Sequence, residues 1–523
     1  MLGKALNKTP REILAVVLLA LATSGVAAAP SVLRARLNSD ILSSEPGVLR
    51  DENTDAVLLH VVEGLVAYRE DATVGPLLAQ RWEASVDGRV YTFYLRPGVR
   101  FHNGAPLTAS EVVWSFRRYL DPATHWRCLR EFDGGGLARI LSVEAVDSLT
   151  VRVTLDRAAP LLVQTLARAD CGETAIVHPS SVAPDGRWRA PIGTGPFQFS
   201  TWKRNQFVEL TRFAGYSALP GPRDGNTGGK HADVDVIRFL VIPDGATAEA
   251  ALLRGDVEIL DGLLPLQMSE LRGEADIRMD VHPAMDCYAL LLQTRDPVLH
   301  DPRLRRAIAL TLDVPALVKN ITLGTGEPNA SLVPTASPYH ASPVQSHIPA
   351  PDLAQARRLA AAAGYRGEPI HLITNHRYPA MFAAAVLIQA MALEAGIHFE
   401  IQTLDWATEL DRYNHGDYQA MAFGYSTRLD PALTFDAVIG DKDRDPRKIW
   451  EDPRARDLLL QVKSTADGDS RQMQFDRLQR LFVNDAPAVI LFNSARIVAL
   501  RKNVVGFSGW SAAQLRLWGV RLQ

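Results

Sequence analysis

The side chains best suited to hold a polar molecule concentrate in Leu404–Asp436, which reads LDWATELDRYNHGDYQAMAFGYSTRLDPALTFD. Arg428 carries a planar fork of donors that binds carboxylate or phosphate through paired hydrogen bonds and keeps its charge at any ordinary pH. Ser426 adds a hydroxyl and Asp430 a carboxylate in the same loop. Asp430 either neutralises Arg428 as a local pair, leaving a structural loop, or leaves it free for a ligand. A second concentration, TNHRYP at Thr374–Pro379, offers a cation at Arg377 and a hydroxyl at Tyr378. A helix start follows it, where unpaired backbone N–H groups favour anions. The alternative there is a solvated loop.

Catalytic patterns are missing. The chain has no GxSxG elbow, no Walker-type phosphate loop, no HExxH and no GxGxxG after a strand. Ser508, in GFSGW, lacks the second glycine an elbow requires. The histidines are scattered, with His376 and His415 the pair to watch for a meeting in space. Cys128 and Cys171 flank one strand-and-helix region and are expected to bond in an oxidising compartment. Closing that loop contributes about 4 kcal/mol on the entropic view. Cys287, in the apolar run CYALLLQ, reads as a buried free thiol. Neither cysteine nor histidine spacing suits a metal, and no cofactor is expected.

These groups must be positioned by α/β units. Gly424–Pro431 is a loop at the carboxyl end of a strand, where open α/β sheets place ligands. Trp406 opens a helix after Asp405, and Asp417-Tyr418 leads into a strand ending at Phe423-Gly424. Upstream, helix Leu353–Ala363, strand Ile370–Thr374, helix Ala380–Ala395 and strand His398–Leu404 alternate, the rhythm of an α/β lobe. Tyr91, Phe93 and Leu95 alternate with polar neighbours as a half-buried strand, and Asn103-Gly104 marks a turn. Thr108 and Glu111 form a capping box before a helix with Val112, Val113, Phe116 and Leu120 on one face. SVEAVDSLTVRVTLDR reads as a hairpin turning at Asp147-Ser148, and Phe197–Phe213 as two strands turning near Arg204-Asn205. Asp55–Tyr68 has helical spacing ending near Gly64, and the glycine-rich Leu219–His231 reads as a surface loop.

The N-terminus reads as an export signal. Lys4, Lys8 and Arg11 precede the apolar run Ile13–Ala22, and Val26-Ala27-Ala28 offers a cleavage site after Ala28. The run is too short to span a bilayer, and no cysteine near the cut suggests a lipid anchor. Cleavage removes a net +2 from the formal −3, leaving a mildly acidic chain without a nucleic-acid footprint. Roughly 495 remaining residues exceed what one core organises, so two or three lobes are expected.

The order of residues in YTFYLRPGVRFHNGAPLTASEVVWSFRRY (Tyr91–Tyr119) resembles the signature of the peptide/nickel/opine-type solute-binding proteins of ABC importers, family 5. IGTGPF at Ile192–Phe197 and the segment Tyr288–Pro302 with the RLRRAI that follows resemble further segments of that family, in order. The resemblance implies a large bilobal periplasmic-binding-protein fold of the α/β class, with an additional β-rich sublobe and a ligand cleft between lobes. It implies a lobe I from 29–70, 190–285 and 495–523, a sublobe inserted at 71–189, and a lobe II at 286–494. In this family the aromatics at the Trp406 and Tyr425 positions commonly line the pocket. Peptide binders typically carry an aspartate three residues beyond the second aromatic, for the peptide ammonium; this chain has Arg428 there. Arg50 falls at the position of an acidic pocket residue of oligopeptide binders, although a one-residue gap brings Asp51 there instead.

The expected function is therefore capture of a small polar solute, peptide-like or opine-like and anionic, for delivery to the membrane subunits of an ABC permease. The expected state is a periplasmic monomer that does no chemistry on its ligand. Alternatives within other classes are a metal-chelate or haem receptor on the same fold and a secreted hydrolase.

Overall fold

The computed structural model describes residues 30–465 and 467–523. The expected export signal lies outside them.

Strands with one or both faces apolar assemble three main sheets. The first runs Ile277–Pro283, Ala495–Arg501, Ile259–Asp261, Val32–Leu37, Val236–Val241, Phe207–Arg212, Phe197–Lys203 in spatial order. Val32–Leu37 is parallel to both its neighbours, whereas the flanking pairs are antiparallel. The second sheet runs Glu327–Pro328, Ala488–Asn493, Cys287–Leu292, Ala420–Tyr425, Ile370–Asn375, Phe399–Leu404. Ile370–Asn375 is parallel to both neighbours, as the intervening helices Pro379–Leu393 and Trp406–His415 require. The third is an antiparallel sheet of Ala79–Ala84, Val90–Leu95, Thr150–Leu155 and Ile140–Asp147. We call the units around these sheets lobe I, lobe II and the sublobe; together they make an α/β, bilobal architecture.

Local chemistry explains the elements. Val90–Leu95 buries Tyr91, Phe93 and Leu95 and turns the alternate residues outward. Helix Ala109–Leu120 starts at Thr108, whose backbone N–H donates to Glu111 at 2.9 Å, closing the capping box. Its buried face is Val112, Ser115, Phe116 and Tyr119, so Val113 and Leu120 sit half-buried at its margins. Cys128 and Cys171 are bonded, with Cα atoms 5.5 Å apart, and Cys287 is free and buried.

Two expectations change. The helix expected to run to Gly64 ends at Leu58. Beyond it, the carbonyls of His60 and Val61 accept from the N–H groups of Phe197 and Gly195, so the backbone is spent on the glycine loop rather than on another turn. Leu219–His231 is not a surface loop throughout. It folds into a small hairpin, and Lys230 is fully buried with its amine 3.2 Å from the Glu63 carboxylate, while Asn226 donates to Glu173 at 2.6 Å. Its glycines serve close packing: a Cβ at Gly225 would lie 2.3 Å from the Tyr68 carbonyl oxygen.

The chain passes between the first and second sheets twice, at 283–287 and 493–495. These crossings are tied together. Ala284 donates to the Ser494 carbonyl at 2.8 Å, and Ser494 N–H donates to the Asp286 carboxylate at 2.7 Å. Burial pushes Asp286 up to about 6 against the pull of those hydrogen bonds.

Candidate ligand-binding site

Lobe II and the sublobe meet face to face. Leu161, beside the sublobe helix Leu162–Leu166, is buried in a lobe II cluster that contains Tyr413, Phe423 and Tyr425. Leu429 and Met285 are buried in return among Tyr68, Trp126 and Leu166. Lobe II presents here the carboxyl ends of Ile370–Asn375 and Ala420–Tyr425, and with them most of the residues expected from sequence.

The aromatic members form a continuous layer. Trp406, the first residue of its helix after the Asp405 cap, is half-buried. It stacks on Phe423 with centroids 6.0 Å apart and meets the edge of half-buried Tyr378 at 4.8 Å. Tyr413 stacks on Phe423 at 4.3 Å and lies 6.2 Å from Tyr425. Tyr425 closes the strand rather than opening the loop, and is buried with its hydroxyl beside that of Tyr413. Tyr68, on the opposite side, buries an unpaired hydroxyl, within reach of the charges of Asp430, Arg168, Asp170 and Arg471.

The loop charges separate into two kinds. Asp430 does not pair with Arg428. It caps helix Pro431–Val438 by accepting from Ala432 N–H at 2.9 Å and holds the buried guanidinium of Arg471 at 3.0 and 3.1 Å. A buried acid with a buried base available is drawn to it rather than to a half-exposed neighbour. Asp430 is thereby a structural residue. The Arg428 side chain keeps a single hydrogen bond, from Nη1 to the Ser426 carbonyl at 3.0 Å. Burial lowers its pKa, the positive charge of Arg168 adds to that, and Asp170 opposes it. Ser426 contributes this carbonyl, while its side chain is exposed.

The sublobe wall differs. Arg168 holds Asp170 at 2.8 and 3.0 Å and Glu131 at 2.9 Å. Burial alone would raise Asp170, but Arg168, with Arg127 and Arg50 behind it, holds it below the usual carboxylate range. Arg50 lies on the lobe I side, ion-paired with Asp55, so its positive charge is largely committed within its own lobe. Arg377 is exposed, 5.9 Å from the Tyr378 ring centroid. The two histidines do not meet. His376 follows the carboxyl end of Ile370–Asn375, whereas His415 closes helix Trp406–His415 and lines a recess at the far end of the sheet. That recess, of about 730 Å³, includes Arg295, His371 and Lys442. Arg295 is paired with Asp443 and Glu451 at 2.7 Å each, and the Lys442 amine donates to Gln293 and Thr294 at 2.6 and 2.7 Å.

Sequence reasoning missed Tyr413, Glu409, Tyr68, Arg168 and Asp170. The spacing Trp406, Glu409, Tyr413 was a readable signal, since it places an acid on an aromatic helix face. The cross-lobe pairings had no local signal.

The profile of "bacterial extracellular solute-binding proteins, family 5 Middle" matches residues 73–443. The chain belongs to this family. Among curated relatives, the dipeptide-binding protein of Escherichia coli K12 is 26% identical over 479 residues, covering 87% of each chain. The glutathione-binding protein GsiB of Shigella dysenteriae serotype 1 is 24% identical over 521 residues, covering 97% of each. Among solved structures, HbpA2 from Haemophilus parasuis superposes with a TM-score of 0.80 at 25% identity, over 94% of this chain and 100% of that one. The relatives are binding proteins rather than enzymes, and this chain is a family 5 solute-binding protein.

Proposed function

We propose that the protein is the periplasmic binding component of an ABC importer and captures an anionic, peptide-like or opine-like solute between lobe II and the sublobe. The observation that carries this reading is Arg428, a guanidinium at the lobe interface with no carboxylate partner among the described residues. Arg428 is half-buried, so its charge is only partly hydrated, and a ligand anion would supply the partner that the fold does not. A ligand carboxylate or phosphate would take two of its donors at once. Trp406, Tyr378 and Tyr425 would supply apolar walls and hydroxyls, and Arg377 a cation at the rim. The relatives named for dipeptides and glutathione support a peptide-like solute carrying free carboxylates.

The function is binding alone. Residues 29–70, 190–285 and 495–523 would move as one body, 286–494 as the other, about the paired crossings at 283–287 and 493–495, with the sublobe at 71–189. The closed form would be recognised by the permease subunits. The protein would act as a monomer after export and removal of its signal near Ala28.

Native mass spectrometry of the protein isolated from its periplasm, followed by denaturation and identification of the released molecule, tests this. A stoichiometric anionic passenger is expected. A neutral or purely cationic passenger would overturn the role given to Arg428.

A further inference from the structure

We propose that Glu409 and the aromatic side chains around it form a receptor for a cationic group, so that the captured molecule carries an ammonium as well as an anion. The anion half rests on the functional reading above; the cation half stands on a different cluster.

Helix Trp406–His415 carries Trp406, Glu409 and Tyr413 on the face turned to Phe423. Glu409 therefore sits inside the aromatic layer, fully buried. Asn375 Nδ2 donates to its Oε2 at 2.9 Å, while Oε1 has no partner. Asn375 is the last residue of its strand, at the same end of the sheet as Tyr425, and its own Oδ1 accepts from Tyr378 N–H at 2.9 Å. The acid is thus fixed beneath Tyr378 and Trp406 at the ligand end of lobe II. No basic side chain among the described residues pairs with it, and burial, offset only by the Asn375 hydrogen bond, raises it to about 7.

Two costs coincide at this spot. A buried carboxyl oxygen without a partner is unfavourable. The negative faces of aromatic rings repel a carboxylate and attract a cation. A glutamine would keep the Asn375 contact and a leucine would pack the layer better, so a structural role does not account for an acid here. An ammonium satisfies both the free oxygen and the ring faces. Arg428 lies near Tyr413 and Tyr425, whose charges it feels, and Tyr413 shares with Glu409 one face of helix Trp406–His415. The pair of sites suits a zwitterion with its charges at separate ends.

Three probes of similar shape separate the halves. They are phenethylammonium, its uncharged counterpart 2-phenylethanol, and 3-phenylpropionate, each titrated by tryptophan fluorescence against the ligand-free protein. Phenethylammonium is expected to bind about tenfold more tightly than the alcohol. Glu409→Gln should erase that advantage, and Glu409→Asp should keep part of it. No advantage in the wild type, or an unchanged one in Glu409→Gln, would overturn the proposal. 3-Phenylpropionate reports on Arg428. Should it fail to bind while phenethylammonium binds through Glu409, the anion reading falls and the cation site stands.

Discussion

The two walls of the lobe interface treat buried charge in opposite ways. On the sublobe wall, Arg168 is enclosed by Asp170 and Glu131, three hydrogen bonds to two carboxylates. On the lobe II wall, Arg428 holds one backbone carbonyl, and Glu409 holds one amide while its second oxygen is free. The contrast is not one of composition, because lobe II also contains the saturated pair Asp430–Arg471 beside Arg428 in the same loop. Desolvation penalises every one of these groups, and pairing offsets it for some. Where the fold leaves the penalty standing, the missing partner is expected to come from outside. The difference separates residues that hold the interface together from residues that wait for a ligand.

Substitutions on either side should behave oppositely. Asp430→Ala strips the partner from Arg471 and the cap from helix Pro431–Val438. A loss of about 4–6 kcal/mol in urea unfolding is expected; a loss below about 1 kcal/mol would place this pair with the dispensable surface bridges. Reducing Cys128–Cys171, which neighbours Asp170 on the paired wall, should cost about 4 kcal/mol by the loop-closure relation, read as a lowered midpoint under reductant.

Glu409→Gln should move stability the other way. The folded pKa of Glu409 is raised, to about 7, so its neutral form is the one the fold accommodates. The penalty is absent below the unfolded value, and stability is lost as pH rises through the folded one. The variant should therefore gain roughly 2 kcal/mol over wild type at pH 8 and little at pH 4, provided both are ligand-free. A destabilised variant at pH 8 would make Glu409 structural. Arg428→Ala should change stability least, by under about 1 kcal/mol, since it removes no ion pair; a larger loss would erase the contrast between the walls.

Much of the fold was legible because it rests on local rules. Alternation placed Val90–Leu95, and the Thr108–Glu111 capping box placed its helix. The end of the first helix at Leu58 was not legible, because its apolar spacing continues while its backbone is claimed by residues far along the chain. The buried Lys230 within a glycine-rich segment was hidden for the same reason: composition suggested solvent, and Glu63 supplied the partner. At the site, the aromatic positions could be read and the fate of the charges could not. Asp430 is two residues from Arg428 in sequence, yet bonds to Arg471 on another helix. Pairing is decided by tertiary geometry, so sequence could mark the charged residues but not say which stay free.

The proposed ligand chemistry depends above all on Arg428 anchoring an anion. Isothermal titration of the passenger recovered from the native protein onto stripped wild type and Arg428→Ala tests it most directly. A loss of about a hundredfold in affinity is expected, the scale of one lost charge-assisted bidentate pair, with unfolding unchanged. Equal affinity in the two proteins would contradict it.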